Sequence, residues 1–408
     1  MIGTASPARA TAVFTGVGIA APGGLGTAQW WTAALQGRSA LGPVTRFDAC
    51  DYPVRLAGEV HGFADEEHVP GRLLPQTDRV TRLALAMAKE AVDDCGADLD
   101  ALPRYAAGVV TASSAGGFEF GQRELQALWH QGSKHVSAYQ AFAWFNAANT
   151  GQISIRHGTR GASGVLVSEQ AGGLDAAAQA RRQLRKGAQL VVTGGVDSAL
   201  CPWGWTAHLA DGALSTVDDP DRAYLPFAPD ASGHIAGEGG AMLVLEDGES
   251  ARRRGARIYG TLAGYAATFD GAGEARLADA ARLALADAGA EPGDIDVVFA
   301  DAAGRREADR AEAEVIASLS GPYGVPVTAP KAMTGRLLAG GSALDLAAAL
   351  LALRDQVIPP TPGTRQIAAD CPLDLVTGTP RHTALRTALV LARGRGGFNS
   401  AVVLQAAD

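Results

Sequence analysis

Cysteine, aromatic residues and long runs of one charge are all scarce in this 408-residue chain. Its four cysteines stand far apart and form no C-x-x-C pair, so neither a metal knuckle nor a disulfide framework is indicated. Reduced thiols in a cytosol fit this pattern best. The net charge is −8, and the densest basic cluster is only three arginines long, at residues 252–254. We therefore predict no nucleic-acid surface, no metal site and no cofactor.

The chain also lacks a basic, apolar N-terminal segment of the kind that directs secretion. Its most apolar helix candidate, residues 343–353, carries Asp345 and is too short to cross a bilayer. We expect a cytoplasmic protein that does not enter membranes. Because the surface is mildly acidic, an acidic partner would need a local basic patch or a second subunit for docking.

Apolar residues and glycine are abundant, at 47% of the chain and 51 residues respectively. Runs rich in β-branched residues predict strands at Ala12–Ala21 and residues 106–111, and helical spacing predicts helices at 77–95 and 275–288. Strands that alternate with helices indicate an α/β fold with covered sheets. The order recurs, so we expect two packed halves, residues 1–250 and 251–408.

One turn between a predicted strand and helix, in residues 165–175, has the geometry that presents a nucleophile in many enzymes. A side chain there lies near a helix N-terminus, where backbone N–H groups favour negative charge. The residue at this turn is Gln170, whose amide exchanges hydrogen bonds but is a poor nucleophile. A simple alternative is that Gln170 satisfies buried backbone groups.

This turn resembles the active-site turn of β-ketoacyl synthases of the thiolase superfamily, with Gln170 where that family has its acyl-carrying cysteine. The version found here, from Ser168 to Asp175, is similar to the chain length factors, or ketosynthase β subunits, of type II polyketide synthases. The resemblance implies a thiolase-like α/β fold, with two duplicated halves in a layered αβαβα arrangement.

The two catalytic histidines of the family also have counterparts here. The first aligns with Asp301, followed by an acidic pair, Asp309 and Glu312, that matches the family. The second aligns with Arg336, which follows a retained Lys331. By this resemblance all three catalytic positions are lost together, and no histidine of the chain falls at any of them.

These losses exclude independent condensation, which needs a thiolate and neutral imidazole donors. An Asp301 carboxylate would repel developing enolate charge, and Arg336 stays protonated at working pH. We expect the two to form an ion pair that fills the site. The Gly-Glu-Gly segment at residues 237–239 is similar to another family segment and is interpreted as a structural turn, since it lacks the lysine of a phosphate loop.

A second region of interest is the helix predicted to begin after the serine- and glycine-rich segment 113–117. Phe118, Gly121, Gln122 and Leu125 share one face of it, which could equally be buried in the chain's own core. In chain length factors the matching helix borders a tunnel shared with the ketosynthase. The resemblance makes these residues candidates for setting polyketide chain length.

The leading hypothesis is a non-catalytic chain length factor that forms a heterodimer with a ketosynthase α subunit and acts on chains delivered by acyl carrier protein. An alternative makes it a malonyl-carrier decarboxylase that uses Gln170, which leaves open whether the chain is an enzyme by itself. A third hypothesis is a relative repurposed as a binding protein.

Overall fold

The structure, a computed structural model of the chain, describes residues 11–271 and 275–407. The first predicted strand is confirmed at Ala12–Ala21, and all ten of its residues are buried. The long helix predicted at residues 77–95 runs from Arg79 to Cys95. At its N-terminus the Asp78 side chain accepts a hydrogen bond from the Val80 N–H. It ends at Gly96 in the left-handed conformation (φ 63°) that a residue without Cβ adopts freely.

The strands in the described residues are β1 Ala12–Ala21, β2 Gly24–Leu25, β3 Gly42–Pro43, β4 Leu56–Ala57, β5 Ala107–Ala112, β6 Ser163–Leu166, β7 Leu190–Asp197, β8 Gly239–Asp247, β9 Gly260–Phe269, β10 Val297–Phe299, β11 Pro326–Thr328, β12 Val357–Ile358, β13 Asp374–Leu375, β14 Arg381–His382, β15 Thr387–Gly394 and β16 Phe398–Gln405.

The helices are α1 Thr27–Gln36, α2 Asp65–His68, α3 Arg79–Cys95, α4 Phe118–Gln131, α5 Gln140–Ala143, α6 Ala148–His157, α7 Gly172–Leu184, α8 Pro202–Ala210, α9 Gly248–Arg253, α10 Leu277–Ala288, α11 Arg306–Ser320 and α12 Ala339–Asp355.

The strand order repeats between the two halves. In the first half the neighbours run β6-β5-β7-β8-β1, and in the second they run β11-β10-β15-β16-β9. In each half the second strand of this order is parallel to both neighbours, and the fourth is antiparallel to both. The predicted duplicated α/β architecture is therefore confirmed, while the boundary at residue 250 stays a prediction.

The helices form three layers around the two sheet halves. Helix α3 forms one outer layer and covers β1 and β8. Helix α10 forms the other outer layer and covers β9 and β16. Helices α7 and α12 pack on each other in the middle, and α12 contacts β7 and β8 as well as β15. Every residue of α12 from Ala339 to Leu353 is buried, as expected of a helix covered on all sides. This is the predicted αβαβα arrangement.

Asp197, the last residue of β7, connects the loop before α4 to the N-terminus of α12. Its buried carboxylate accepts hydrogen bonds from the Ser113 hydroxyl and from the Ser114 and Ala115 N–H groups, all at 2.9 Å. It also accepts one from the Ala339 N–H at the start of α12, at 2.9 Å. One side chain thus joins the loop before α4 to the N-terminus of α12.

No helix within residues 11–271 and 275–407 combines the length and the apolar character needed to cross a membrane.

Candidate functional site

The turn that carries Gln170 lies between β6 and α7, as predicted. Residues Glu169–Ala171 form a short 3-10 helix that leads directly into α7. Glu169 has a φ of 50°, which is uncommon for a residue with a side chain and marks a tight turn. Gln170 itself is fully buried. The sharp strand-to-helix turn expected from the sequence is present.

The amide of Gln170 faces the third residue of α12, Gly341. A Cβ built at Gly341 would lie well inside van der Waals contact with the amide Nε2, so the glycine makes room for the glutamine. Within the described part of the chain, neither Nε2 nor Oε1 of Gln170 has a hydrogen-bond partner. The simple expectation that Gln170 satisfies buried backbone groups is therefore wrong, because α12 approaches through a glycine and offers no polar side chain there.

Asp301 and Arg336 form the predicted ion pair. Arg336 Nη2 and Nη1 lie 3.0 and 3.3 Å from the two carboxylate oxygens of Asp301, and Nη1 also donates to the Asp301 carbonyl oxygen at 2.9 Å. Both side chains are buried. The two positions that hold histidines in the resembling family are thus occupied by a forked, charge-assisted hydrogen-bonded pair.

A second arginine, Arg393 of β15, completes a network that the sequence analysis missed. Its backbone N–H and its Nε donate to Asp301 at 2.9 and 3.2 Å, and its Nη2 contacts Glu312 at 3.2 Å. Glu312 in turn accepts hydrogen bonds from the backbone N–H groups of Asp301 and Ala302 at 2.6 and 2.8 Å. The available signal was a charged residue inside the otherwise apolar run of β15.

The network keeps its charges fixed at neutral pH. Burial alone would raise the pKa of Asp301, but the guanidinium groups of Arg336 and Arg393 outweigh it and hold that pKa well below its usual range. Burial opposes the charge of Arg336, yet the Asp301 carboxylate keeps the arginine's pKa above its ordinary value. Neither residue can exchange a proton as an imidazole does.

The retained lysine and the acidic pair have structural partners. Lys331 forms a buried ion pair with Asp345 of α12, at 2.6 Å. Asp309 accepts hydrogen bonds from the N–H groups of Phe227 at 2.9 Å and Gly304 at 3.0 Å. Burial raises the pKa of Asp309 to about 7. Asp309 thus links the loop between β10 and α11 to the segment that carries Phe227, and Lys331 links its own segment to α12.

A cleft of about 290 Å³ opens beside the network, lined among others by Glu169, Asp301 and Arg336. Two histidines that sequence reasoning did not single out, His208 and His234, also line it. Burial lowers the pKa of His234 to about 3 and that of His208 to about 4, so both rings are neutral. The turn at Gln170 and the two altered histidine positions therefore meet at one cleft.

The Gly-Glu-Gly segment is structural, as predicted. Glu238 is fully buried, and Arg79 grips its two carboxylate oxygens at 2.7 Å each. The Ser198 hydroxyl donates to Glu238 at 2.7 Å and the Val60 N–H at 3.0 Å. The hydrogen bonds accepted by the Glu238 carboxylate therefore all come from groups within the fold.

The predicted face of α4 packs against the start of α8. The Phe118 ring lies 4.7 Å from the Trp203 ring, centroid to centroid, and the Gln122 side-chain oxygen accepts a hydrogen bond from the backbone N–H of Trp203 at 2.6 Å. Gly121 is buried, whereas Leu125 is exposed. The structure brings Phe118, Gly121 and Gln122 together at one place and leaves Leu125 on the open side.

Several large apolar side chains in residues 125–145, together with Trp203 of α8, are exposed to solvent. They are Leu125, Trp129, Tyr139, Phe142, Trp144, Phe145 and Trp203. Strand β6 lies at one edge of the sheet and, among the described strands, is hydrogen-bonded to β5 alone. Exposed apolar clusters and unpaired strand edges are typical of surfaces that another chain covers.

Within the described ranges no group of three histidine, cysteine, aspartate or glutamate side chains is arranged to hold a metal ion.

Family models for the two domains of β-ketoacyl synthases match most of the chain. The model of the N-terminal domain matches residues 11–251, and that of the C-terminal domain matches residues 259–365.

Two relatives from streptomycetes are similar over nearly their whole length. The actinorhodin polyketide putative beta-ketoacyl synthase 2 of Streptomyces coelicolor is 58% identical over 96% of this chain and 98% of its own. The tetracenomycin polyketide synthase ketoacyl synthase beta subunit of Streptomyces glaucescens is 56% identical over 98% of this chain and 99% of its own.

Among solved structures, a chain of the ishigamide ketosynthase/chain length factor is similar with a TM-score of 0.91 and 29% identity. The match covers 98% of this chain and all of that one.

Proposed function

The chain belongs to the β-ketoacyl synthase family, and on that premise we propose that it is the chain length factor, or β subunit, of a type II polyketide synthase. It does not condense acyl units itself. Instead it pairs with a ketosynthase α subunit and shapes the space into which the polyketide grows.

The observation that carries this proposal is the ion network at the site of the family's chemistry. Condensation needs a thiolate and uncharged donors that stabilise an enolate. Here a glutamine occupies the nucleophile turn, and Asp301, Arg336 and Arg393 fill the space beside it with fixed charges. A chain that has the family's scaffold but a glutamine, an aspartate and an arginine at the family's three catalytic positions is suited to a supporting role.

We assign the chain-length role to the face of α4 formed by Phe118, Gly121, Gln122 and Leu125. The buried glycine lies at the base of this face, and the partly exposed leucine lies at its open end. A wall of fixed volume limits chain growth sterically, because overpacking a filled space is unfavourable.

The same proposal accounts for the exposed apolar cluster around α4. We infer that the ketosynthase α subunit covers this cluster and the free edge of β6, so that the two related folds form a heterodimer in the cytoplasm. Acyl carrier protein delivers malonyl and polyketide chains to the assembled pair. Because the chain's net charge is −8, we expect the partner to supply much of the basic surface that an acidic carrier needs.

The test is reconstitution with a cognate ketosynthase α subunit. We expect the two chains to co-purify as a heterodimer, and malonyl-loaded carrier protein to yield polyketide only when both are present. Replacing the active-site cysteine of the α subunit should abolish product. Product formation by the isolated chain, or full activity of the α subunit without it, would contradict the proposal.

A second candidate function, decarboxylation of malonyl-carrier protein, is favoured by the unpartnered amide of Gln170. A buried amide at a helix N-terminus can hold a carboxylate or a thioester oxygen. The test is carbon dioxide release from malonyl-carrier protein by the heterodimer with an inactivated α subunit. Under this alternative Gln170→Ala abolishes the release, and under the leading proposal it changes nothing.

A further inference from the structure

A cleft of about 820 Å³ lies where the two halves of the fold meet. The first half contributes the middle of β1 and one face of α3, and the second half contributes Arg257, Tyr259 and Arg354. This cleft shares no lining residue with the smaller one beside Asp301. Cavities at the junction of structural units are typical of small-molecule sites, which measure about 300–1,000 Å³.

The β1 side of the cleft is a strand edge that β9 leaves. The two strands pair only at Val13 and Phe14 within the described residues. Further along, the Val17 N–H donates to Asp94 and the Ile19 N–H to Glu90, both at 3.0 Å. These two carboxylates of α3 therefore satisfy the backbone of β1, and neither needs a cation from a ligand.

Most cations at the cleft have a carboxylate partner. The pairs are Arg257 with Asp94, Lys89 with Asp93, and Arg354 with Asp355. Arg156, at the end of α6, differs: within the described ranges its hydrogen bond goes to a neutral group, the His68 carbonyl, at 2.9 Å. Burial lowers the pKa of Arg156, so this cation is partly desolvated. A guanidinium has five N–H donors, and an anion in the cleft would engage those left over.

The second half presents flat groups to the cleft. The guanidinium carbons of Arg257 and Arg354 lie 4.8 and 5.7 Å from the centroid of the Tyr259 ring. Trp31 of α1 also lines the cleft, and its indole N–H donates to Asp355 at 2.7 Å. Guanidinium planes stack on flat π systems. This wall therefore favours a flat ligand over a bulky one.

We propose that this cleft is a second binding site, for a planar aromatic carboxylate, in which Arg156 pairs with the carboxylate while Arg257 and Arg354 contact the ring system. The planar fork of an arginine matches a carboxylate. Four acidic side chains line the cleft beside four lysines or arginines, so a single negative charge is better tolerated than the two of a phosphate. The inference does not depend on the proposed function, since it uses no residue of the Asp301 network or of α4.

The experiment measures the binding of three probes to the full-length chain. Anthracene carboxylate is planar and anionic, anthracene methanol is planar and neutral, and adamantane carboxylate is anionic but not planar. The anthracene probes are followed by their own fluorescence anisotropy, and adamantane carboxylate by its competition with them. We expect anthracene carboxylate to bind at least about threefold more tightly than either of the others.

Two variants separate the charge from the plane. Arg156→Met removes the unpaired cation, so anthracene carboxylate should lose about three- to tenfold in affinity and then bind like anthracene methanol. Arg354→Lys keeps the charge and removes the plane, so both anthracene probes should weaken about two- to threefold while adamantane carboxylate is unchanged. Arg365→Met, at an exposed position outside the cleft, is the control and should bind all three probes as wild type does.

Thermal unfolding without probe checks that each variant folds. Should Arg156→Met fail to fold, Arg156→Lys gives the same test, because an ammonium lacks the planar fork and should weaken anthracene carboxylate alone by about two- to threefold. The inference is overturned if anthracene carboxylate does not bind at about 1 mM, or if the cleft variants behave like Arg365→Met. Equal losses for both anthracene probes in Arg156→Met would overturn it too, since the arginine would then not meet the carboxylate.

Discussion

The network around Asp301 and the face of α4 differ in how far their side chains are paired or covered within this chain. Around Asp301 the charges are paired: Arg336 and the half-buried Arg393 face the buried carboxylates of Asp301 and Glu312, and backbone N–H groups donate to both carboxylates. Around α4, by contrast, large aromatic side chains are exposed to solvent. The Asp301 network is thus completed by side chains of this chain. Under the proposed function, the face of α4 is completed only when the ketosynthase α subunit covers it.

The largest effect is expected from removing one charge of the Asp301 network. Asp301→Asn leaves Arg336 and Arg393 buried with one carboxylate fewer, so we expect it to destabilise the chain by about 3–5 kcal/mol. Thermal and urea unfolding would measure this. The matched control is Asp218→Asn, which removes an exposed pair with Arg55 at 3.7 Å and should change stability by less than about 0.5 kcal/mol. An unchanged melting temperature for Asp301→Asn would show that the network is not the closed unit described here.

A smaller loss is expected where Gln170 meets α12. Gly341→Ala should place a methyl group against the Gln170 amide and destabilise the chain by about 1–3 kcal/mol through overpacking. The double variant with Gln170→Ala removes the obstacle and should recover most of that stability. If the two substitutions simply add in urea unfolding, the glutamine and the glycine are not in the predicted contact.

On the open face the expected change is in product more than in stability. Gly121→Phe must displace Trp144 and Trp203, so the reconstituted pair should make shorter polyketides, with Gly121→Ala giving a weaker shift in the same direction. Chain lengths would be read by mass spectrometry, and co-purification with the α subunit should be retained. An unaltered length distribution would argue that this face does not bound the growing chain.

A further expected effect is a change in the pH dependence of the free energy of unfolding. Because burial raises the pKa of Asp309 to about 7, the folded chain holds a proton that the unfolded chain releases at about pH 4. This group's contribution to stability is therefore present below about pH 4 and is lost as pH rises to about 7. Asp309→Asn should flatten that part of the curve of unfolding free energy against pH. Asp218→Asn serves again as the control, and identical curves for wild type and Asp309→Asn would contradict the assignment.

Much of the architecture could be predicted from local patterns. The β-branched run of β1 predicted its bounds, and glycines such as Gly96 and Gly289 mark the ends of α3 and α10 as expected. The apolar helix candidate at residues 343–353 starts four residues later than the helix itself, since α12 begins at Ala339. The residue before the helix, Leu338, has a φ of 50°, and the first residue, Ala339, is followed by two glycines. Nothing in local propensity predicts that conformation, which the packing of α12 against neighbouring elements imposes.

The site residues likewise fall into those that the sequence could predict and those that only the tertiary fold brings together. The resemblance led to Gln170, Asp301 and Arg336, and charge complementarity predicted that the last two would pair. Arg393 escaped because its partner Asp301 lies 92 residues away, so no spacing rule connects them. The enclosure of Gly121 by two tryptophans escaped for the same reason, since Trp203 reaches α4 only through the tertiary fold.

Asp197 ties these two regions to a common reference point. The same carboxylate that holds the loop before α4 also holds the first residue of α12, which supports the glutamine turn. Asp197 therefore couples the two regions mechanically, so that a substitution that moves the start of α12 also moves the loop before α4.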